Sequence, residues 1–228
     1  TIFGLAKIGL QFITSRSGPM TQAASLAVGF AKTSLSTDTP DIQFHIQPFS
    51  SDSLSKGKIT THRFSAFTQS VCQLRPQSTG YLEISDSNPR TPLKIHPNYL
   101  NTENDIKTLL EGVKMARTIA LHSPLNKLVT RIYDPCKSIE TNKDLVEWIR
   151  NTATTIYHPA GTCKMGRTPE EKAVVDKNLK VHSFEGLRVA DASIMPYITS
   201  GNTNAPAIMI GERASDLIRE EHGISIRH

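Results

Sequence analysis

The chain is 228 residues long, yet it contains no long apolar run and no concentrated block of basic residues. A helix needs about 20 consecutive apolar residues to cross a bilayer, so the sequence predicts no membrane span. The 26 lysine and arginine residues are scattered, and the net charge is +5. A nucleic-acid partner would need that charge gathered on one face, so we expect a solvated basic surface and no nucleic-acid binding. The hydrophobic content of 38% and charged content of 21% are typical of a globular protein.

The cysteines are few and badly spaced for a structural role. Cys72, Cys136 and Cys163 form no CxxC pair, and no second ligand pair accompanies His158 and Cys163. A structural zinc site normally needs four ligands, so we expect no metal site. An odd number of cysteines provides no disulfide framework, although a single bridge remains open.

The chain also lacks any Gly-x-Gly-x-x-Gly sequence, the fingerprint with which a dinucleotide-binding unit holds a diphosphate. It begins with Thr1 and not with Met, and we expect that an authentic N-terminus is missing.

Strand patterns fill the first hundred residues. Residues 41–49 alternate polar and apolar side chains, which indicates a half-buried strand. Several strands that follow one another without intervening helices predict an antiparallel sheet. The further strand candidates are 64–74, 80–85 and 93–96, whereas 23–32 suits a strand or a helix and 50–63 reads as a polar surface loop.

Helical patterns dominate the rest of the chain. A helix should begin near Thr102, which with Asp105 forms a capping box, and apolar residues then recur at helical spacing. Such helices beside an antiparallel sheet indicate an α+β fold in which helices cover the sheet. The other predicted helices are 1–13, 143–152 with Thr141 or Asn142 as its cap, and 205–222.

His158 is followed by Pro159, and a proline disfavours helical geometry in the residue before it. The helix before His158 should therefore end there and present the imidazole at its exit. A histidine in that place can take a proton near neutral pH. It can equally cap the last carbonyl groups of the helix, and the local sequence favours that interpretation.

Two further polar turns end the chain's apolar segments. Asn202 lies just before the last predicted helix, where it can serve as an N-cap or can offer its amide to an electron-rich oxygen. Asp191 follows the apolar strand expected at 187–190. A carboxylate at a strand end can bind a ligand or can accept a bond from its own backbone, and the sequence leaves both interpretations open.

The order and spacing of these segments resemble the C-terminal part of the glucose–methanol–choline (GMC) oxidoreductases, which are flavin-dependent alcohol and sugar oxidoreductases. The resemblance covers nearly the whole chain and is nearest to the insect glucose-dehydrogenase-like branch. The segments that carry it are 17–21, 74–82, 97–100, 158–166, 187–196 and 200–206.

The resemblance implies a catalytic pair. His158 matches the family's catalytic histidine and would remove the hydroxyl proton of a small alcohol or sugar. Asn202 matches a position that is His or Asn in the family and would hydrogen-bond the substrate oxygen. The electron acceptor would be a quinone or oxygen, and the glucose-dehydrogenase likeness favours a dehydrogenase.

The resemblance also implies FAD as the cofactor. Asp191 and Ala192 match a flavin-contacting turn, and Thr203 and Asn204 should approach the flavin ring through backbone groups. The family's diphosphate fingerprint is missing, so we expect the chain alone to bind FAD weakly or not at all and to be inactive.

The resemblance also implies how the chain divides into domains. Residues 1–157 would form the substrate-binding domain, and 158–228 would form an active-site and flavin-facing segment. The N-terminal FAD-binding half would be absent, and the C-terminal strand–loop–helix would complete that α/β domain. The alternative is a non-catalytic remnant that acts as a binding or interaction protein, but the presence of His158, Gly161, Asp191 and Asn202 favours the enzyme.

Overall fold

A computed structural model describes residues 2–23, 25–36, 38–51, 61–133 and 138–225. The expected α+β architecture is confirmed. Most of the predicted loop 50–63, and Cys136, lie outside the described residues. The helices are α1 (Ile2–Ser15), α2 (Glu103–Leu121), α3 (Asn142–Thr152) and α4 (Asn204–Glu221). The strands are β1 (Ala27–Ala31), β2 (Ile42–Gln47), β3 (Thr68–Gln73), β4 (Tyr81–Glu83) and β5 (Lys94–His96).

The chain divides into two compact units. Unit 1 comprises residues 1–72 and 111–138, and unit 2 comprises residues 73–110 and 139–228. The division passes through β3 and through α2. It is a division by packing, and the functional boundary expected at residue 158 stays a prediction.

Unit 1 contains a three-stranded sheet in the order β1–β2–β3. β1 and β2 pair antiparallel, with Gly29 opposite Phe44. Ile42 and Phe44 of β2 are buried, as the alternating pattern predicts, but Gln43 is buried too, so the expectation of a half-buried strand is wrong at this end of β2. α2 packs on this sheet at Gly112, where an added Cβ would lie 2.6 Å from a Val71 methyl group. The prediction of a sheet covered by a helix is therefore confirmed here.

Unit 2 has a core of its own. α4 contributes three residues to it, and the segment before α4 contributes Ile194 and Met195. α3 buries Leu145 and Ile149. β4 and β5, in the same unit, form an antiparallel ribbon. The core cluster comprises Val175, Leu179, Ile194, Met195, Ile210, Ala214 and Leu217.

The helix caps follow the sequence closely. Thr141 is the N-cap of α3, and its hydroxyl accepts a bond from the Asp144 amide at 3.1 Å. Thr102 accepts a bond from the Asp105 amide at 3.3 Å at the start of α2. Side chains that satisfy the free N–H groups of a first turn are what begin a helix at these residues. Among the described helices, none is long and apolar enough to span a bilayer.

Two local expectations need correction. α3 ends at Thr152, as the pattern over 143–152 predicts, so the helix end expected at His158 from Pro159 is wrong: the Ala153 backbone turns extended, and the following Thr and Ile residues are β-branched, which disfavours helix. The expected strand at 187–190 is an isolated antiparallel bridge between Lys180 and Arg188. A strand needs a continuous neighbour for its backbone bonds, and within the described part of unit 2 this segment has only that short partner.

Candidate active site

His158 and Asn202 are 44 residues apart in sequence and in direct contact in unit 2. Asn202 Nδ2 lies 2.7 Å from His158 Nε2. Thr203 Oγ1 lies 2.9 Å from the other ring nitrogen, Nδ1. His158 is half-buried, Asn202 is exposed and Thr203 is 7% exposed. The fold thus brings together the two residues expected to form a pair, and it adds a hydroxyl on the far side of the ring.

The donor chemistry of these contacts defines the state of the imidazole. An amide nitrogen can only donate, so Nε2 accepts the bond from Asn202 and carries no proton. In the neutral ring the single proton then sits on Nδ1 and is donated to Thr203 Oγ1. The Nε2 lone pair is consequently held on the side of the exposed Asn202 amide.

Backbone bonds to a neighbouring segment position His158. Tyr157 has a φ of 63°, an uncommon value for a residue with a side chain, and so turns the chain just before the histidine. After it, the Cys163 amide donates to the Ser193 carbonyl at 2.9 Å, and the Met165 amide donates to the Ile194 carbonyl at 2.8 Å. Since Ile194 is in the core of unit 2, the loop that carries His158 is anchored to that core.

The other side of the pair is carried by the start of α4. Thr203 is the N-cap, and its carbonyl accepts the Ala207 amide at 3.0 Å. Its side chain makes no capping bond. The N-cap residue is thus Thr203 and not Asn202, and His158 does not cap α3, because both ring nitrogens are bonded to residues at the α4 terminus.

Asp191 forms a local turn. It is the N-cap of a short 3₁₀ helix over Ala192–Ile194, and its Oδ1 accepts the Ser193 amide at 2.7 Å. The turn interpretation of this carboxylate is therefore the arrangement found, and no hydrogen bond joins Asp191 to His158. Asn204 is the exposed first residue of α4. The four residues expected to contact a cofactor thus lie in two places, the 191–192 turn and the α4 N-terminus.

A third segment reaches this site from the start of unit 2. Arg75 Nε donates to Ser200 Oγ at 2.9 Å, two residues before Asn202. The turn that carries Arg75 is tied to Asp105, which is 1% exposed. The Asp105 carboxylate accepts bonds from the Gln77 amide at 2.9 Å and the Ser78 amide at 2.8 Å.

The pKa of Asp105 reflects this burial and these bonds. Burial alone would raise the pKa of the carboxyl, but the hydrogen bonds from Gln77, Ser78 and Gln73 outweigh it and hold the pKa below its usual range. Sequence patterning identified Asp105 only as a capping residue, and it missed the Thr203 hydroxyl and the Arg75–Ser200 bond. Those contacts join distant residues, and no local spacing signals them.

No metal centre accompanies the site: within the described ranges there is no group of three or more His, Cys, Asp or Glu residues that could hold an ion. The N-terminus of the 18-residue helix α4 provides the electropositive feature here. A general base, a neutral amide and a helix N-terminus together suit an oxygen that carries or loses a proton.

Comparison with known proteins connects this geometry to a family. A family model described as GMC oxidoreductase matches residues 76–211. Choline dehydrogenase, mitochondrial, of Mus musculus is 38% identical over 212 residues, covering 93% of this chain and 35% of that protein. Alcohol dehydrogenase [acceptor] of Pseudomonas putida is 38% identical over 213 residues, covering 92% and 38%.

A solved structure shows the same fold. The structure titled "Effect of mutation (R554A) on FAD modification in Aspergillus oryzae RIB40 formate oxidase" has a TM-score of 0.81 at 21% identity. The match covers 96% of this chain and 42% of that one. The chain therefore spans well under half the length of these relatives and corresponds to their C-terminal region.

Proposed function

Because this chain belongs to the GMC oxidoreductase family, we propose that it is the C-terminal portion of an FAD-dependent oxidoreductase acting on the CH–OH groups of alcohols or sugars. In this proposal His158 is the proton acceptor and Asn202 holds the substrate oxygen. The contact of 2.7 Å between Asn202 Nδ2 and His158 Nε2 is the observation that carries it.

That contact places a proton acceptor, His158 Nε2, next to a hydrogen-bond donor, the Asn202 amide, that can hold an oxygen atom. A substrate hydroxyl entering there replaces Asn202 as the donor to Nε2, gives its proton to that lone pair and accepts a bond from the Asn202 amide. The O–H electrons then form the carbonyl bond as the carbon-bound hydrogen leaves as hydride. A neutral amide is a poor base, so proton removal falls to His158 alone.

FAD, when bound, supplies the ring that accepts the hydride. The residues here suit the ring end of that cofactor, because the N-terminus of α4 lies beside His158 and the Thr203 side chain makes no capping bond there. Thr203 and Asn204 would contribute there through their backbone, since the Thr203 side chain is engaged with His158. Asp191 and Ala192 would contribute from their turn. The chain has no Gly-x-Gly-x-x-Gly unit to hold the diphosphate.

The names of the relatives support a broad substrate class and no single compound. Two of them are named for choline and for an alcohol, which are small hydroxyl compounds. We propose a small alcohol or sugar as substrate and a quinone or oxygen as electron acceptor. The glucose-dehydrogenase-like branch expected from the sequence stays a prediction.

A second candidate function is a non-catalytic binding protein built from the substrate domain. The flavin absorbance of the purified 228-residue chain, taken after incubation with FAD and desalting, tests whether this chain alone binds FAD. A flavin-free chain is expected, and retained flavin bands would overturn our proposal that tight binding needs a further domain. A Gly-rich strand–helix unit in the upstream coding sequence would support the enzyme, and a genuine start next to Thr1 would support the binding protein.

Turnover of the flavin-loaded protein that carries this chain tests the catalytic role. Replacing His158 by Ala should lower kcat by about a hundredfold or more, because the general base is lost. His182→Ala is the matched control, since His182 is another half-buried histidine of unit 2, with Nε2 3.3 Å from the Gly166 carbonyl. Near-normal turnover of the His158 variant, with flavin content unchanged, would refute the proposal.

A further inference from the structure

We propose that Thr203 is a positioning residue that orients His158 and keeps its proton on Nδ1. The proposal rests on the proposed function of His158 and deepens it. Its evidence is the bond of 2.9 Å between Thr203 Oγ1 and His158 Nδ1, on the side of the ring opposite Asn202.

Thr203 is more deeply buried than either of its neighbours. It is 7% exposed, whereas Asn202 and Asn204 are exposed. Its carbonyl bonds the Ala207 amide, which fixes its backbone to the first turn of α4. A β-branched side chain also has few rotamers. Because its hydroxyl makes no capping bond in α4, that oxygen is available to the histidine.

The need for this residue comes from the chemistry of imidazole. A neutral imidazole can carry its proton on either nitrogen, and the bond made by one nitrogen decides the state of the other. For Nε2 to accept a substrate proton it must be unprotonated, so Nδ1 needs an acceptor. Thr203 Oγ1 is that acceptor, and it remains bonded to Nδ1–H after Nε2 has taken the proton.

A purely structural Thr203 would behave differently. If its hydroxyl only filled space at the helix start, its removal would lower stability and leave the ring of His158 unchanged. Thr203→Val removes the hydroxyl and keeps the shape, while Thr203→Ser keeps the hydroxyl. The two variants therefore separate the acceptor from the packing.

The first test is nitrogen NMR of the 228-residue chain labelled on histidine, recorded at pH 9, where an imidazole is neutral. The chain has eight histidines, so a His158→Gln sample identifies the relevant signals. We expect a protonated Nδ1 and an unprotonated Nε2 for His158. The Ser variant should match this, and the Val variant should show the two tautomers mixed.

Two results would overturn the proposal. One is a proton on Nε2 in the unsubstituted chain, which needs no variant to fold. The other is an unchanged His158 signal in Thr203→Val. If the Val variant does not fold, Thr203→Ala against Thr203→Ser provides the same comparison.

Kinetics of the flavin-loaded protein separate this proposal from the proposed function. Thr203→Val should lower kcat by about tenfold to a hundredfold, as loss of an orienting partner does elsewhere, with KM changed by less than about threefold. Thr203→Ser should restore most of the rate. If His158→Ala is also harmless, the proposed function fails while the NMR result still stands. If only the Thr203→Val kinetics are normal, the positioning role fails.

Discussion

Replacing Asp105 by Asn would test how the turn over residues 73–78 is held. The carboxylate is 1% exposed and accepts four hydrogen bonds. Its Oδ1 accepts from Gln73 Nε2 at 2.8 Å and from the Gln77 amide at 2.9 Å. Its Oδ2 accepts from the Ser78 amide at 2.8 Å and from the Ser78 hydroxyl at 2.5 Å. An Asn side chain has a single acceptor oxygen, so it can keep one of these two pairs.

The magnitude follows from the second pair. If the amide oxygen keeps the Oδ1 bonds, the amide nitrogen faces the Ser78 N–H, and two donors then meet. The Ser78 hydroxyl cannot compensate, because its oxygen already accepts the Asn101 and Thr102 amides at 2.9 and 3.1 Å. Each bond to a charged group contributes about 1.5–3 kcal/mol, and a neutral amide costs less to bury. We expect the free energy of unfolding to fall by about 3 kcal/mol.

Urea unfolding followed by Trp148 fluorescence measures this change. Trp148 is the chain's single tryptophan and lies in unit 2 with Asp105. With a slope of about 2 kcal/mol per M, the midpoint should fall by about 1.5 M. Asp86→Asn is the matched control, because Asp86 is exposed and accepts one bond at Oδ1, which Asn can keep. Its midpoint should move by less than about 0.3 M.

The pH dependence gives a second reading of the same prediction. Because the pKa of Asp105 is lowered by folding, its ionisation contributes stability that is fully present above the unfolded pKa near 4. That contribution is lost as the pH falls through the lower folded value. The difference between wild type and Asp105→Asn should therefore be full at pH 7 and shrink below pH 4. A variant as stable as the Asp86 control at pH 7 would refute the reasoning.

The remaining predictions concern two glycines and the ion pairs that Glu221 forms with Arg188 and Lys180. At Gly80 an added Cβ would lie 2.1 Å from the His96 carbonyl oxygen, so Gly80→Ala should lower the free energy of unfolding by about 1–3 kcal/mol. Gly211 lies within α4, where an added Cβ meets open space, so Gly211→Ala should raise the free energy of unfolding by about 0.5–1 kcal/mol. Urea midpoints check both signs. Hydrogen bonds from Arg188 and Lys180 lower the pKa of Glu221 to about 2, so Glu221→Gln should lower the thermal midpoint at pH 7. Since the folded pKa of Glu221 is depressed, the difference in thermal midpoint should fade as the pH falls from about 4.5 to about 2. Glu220→Gln is the control: the contact of Glu220 with Arg213 is 3.5 Å long and exposed, so its loss should hardly change the midpoint.

Local patterning predicted most elements well. The helix expected from about Thr102 is α2, and the one expected over 205–222 is α4, whose bounds differ by a residue. The alternation over 41–49 contains β2. Residues 23–32, which suited a strand or a helix, contain the strand β1 because β2 offers it an antiparallel partner. These successes rest on periodicity and caps, which act within a few residues of each other.

The two failures have different causes. The expectation that a helix ends at His158 rested on Pro159 alone, whereas the pattern over 143–152 correctly predicts the end of α3 at Thr152. The segment 187–190 has the composition of a strand and finds only an isolated bridge. The end of α3 has a local cause, the β-branched residues 154–156, whereas the backbone partner of residues 187–190 is not visible in the sequence.

By itself, the sequence determined which polar side chains the protein has available: a histidine, an asparagine and two small polar turns, in an order that identifies a family. Only the tertiary structure decided that His158 Nε2 meets the Asn202 amide and that Nδ1 meets Thr203. The reason is physical. The loop of His158 is anchored by backbone bonds to residues 193–194, and Ile194 shares one buried core cluster with Ile210, Ala214 and Leu217 of α4. Contacts between residues 44 positions apart arise from that shared core, which no local pattern encodes.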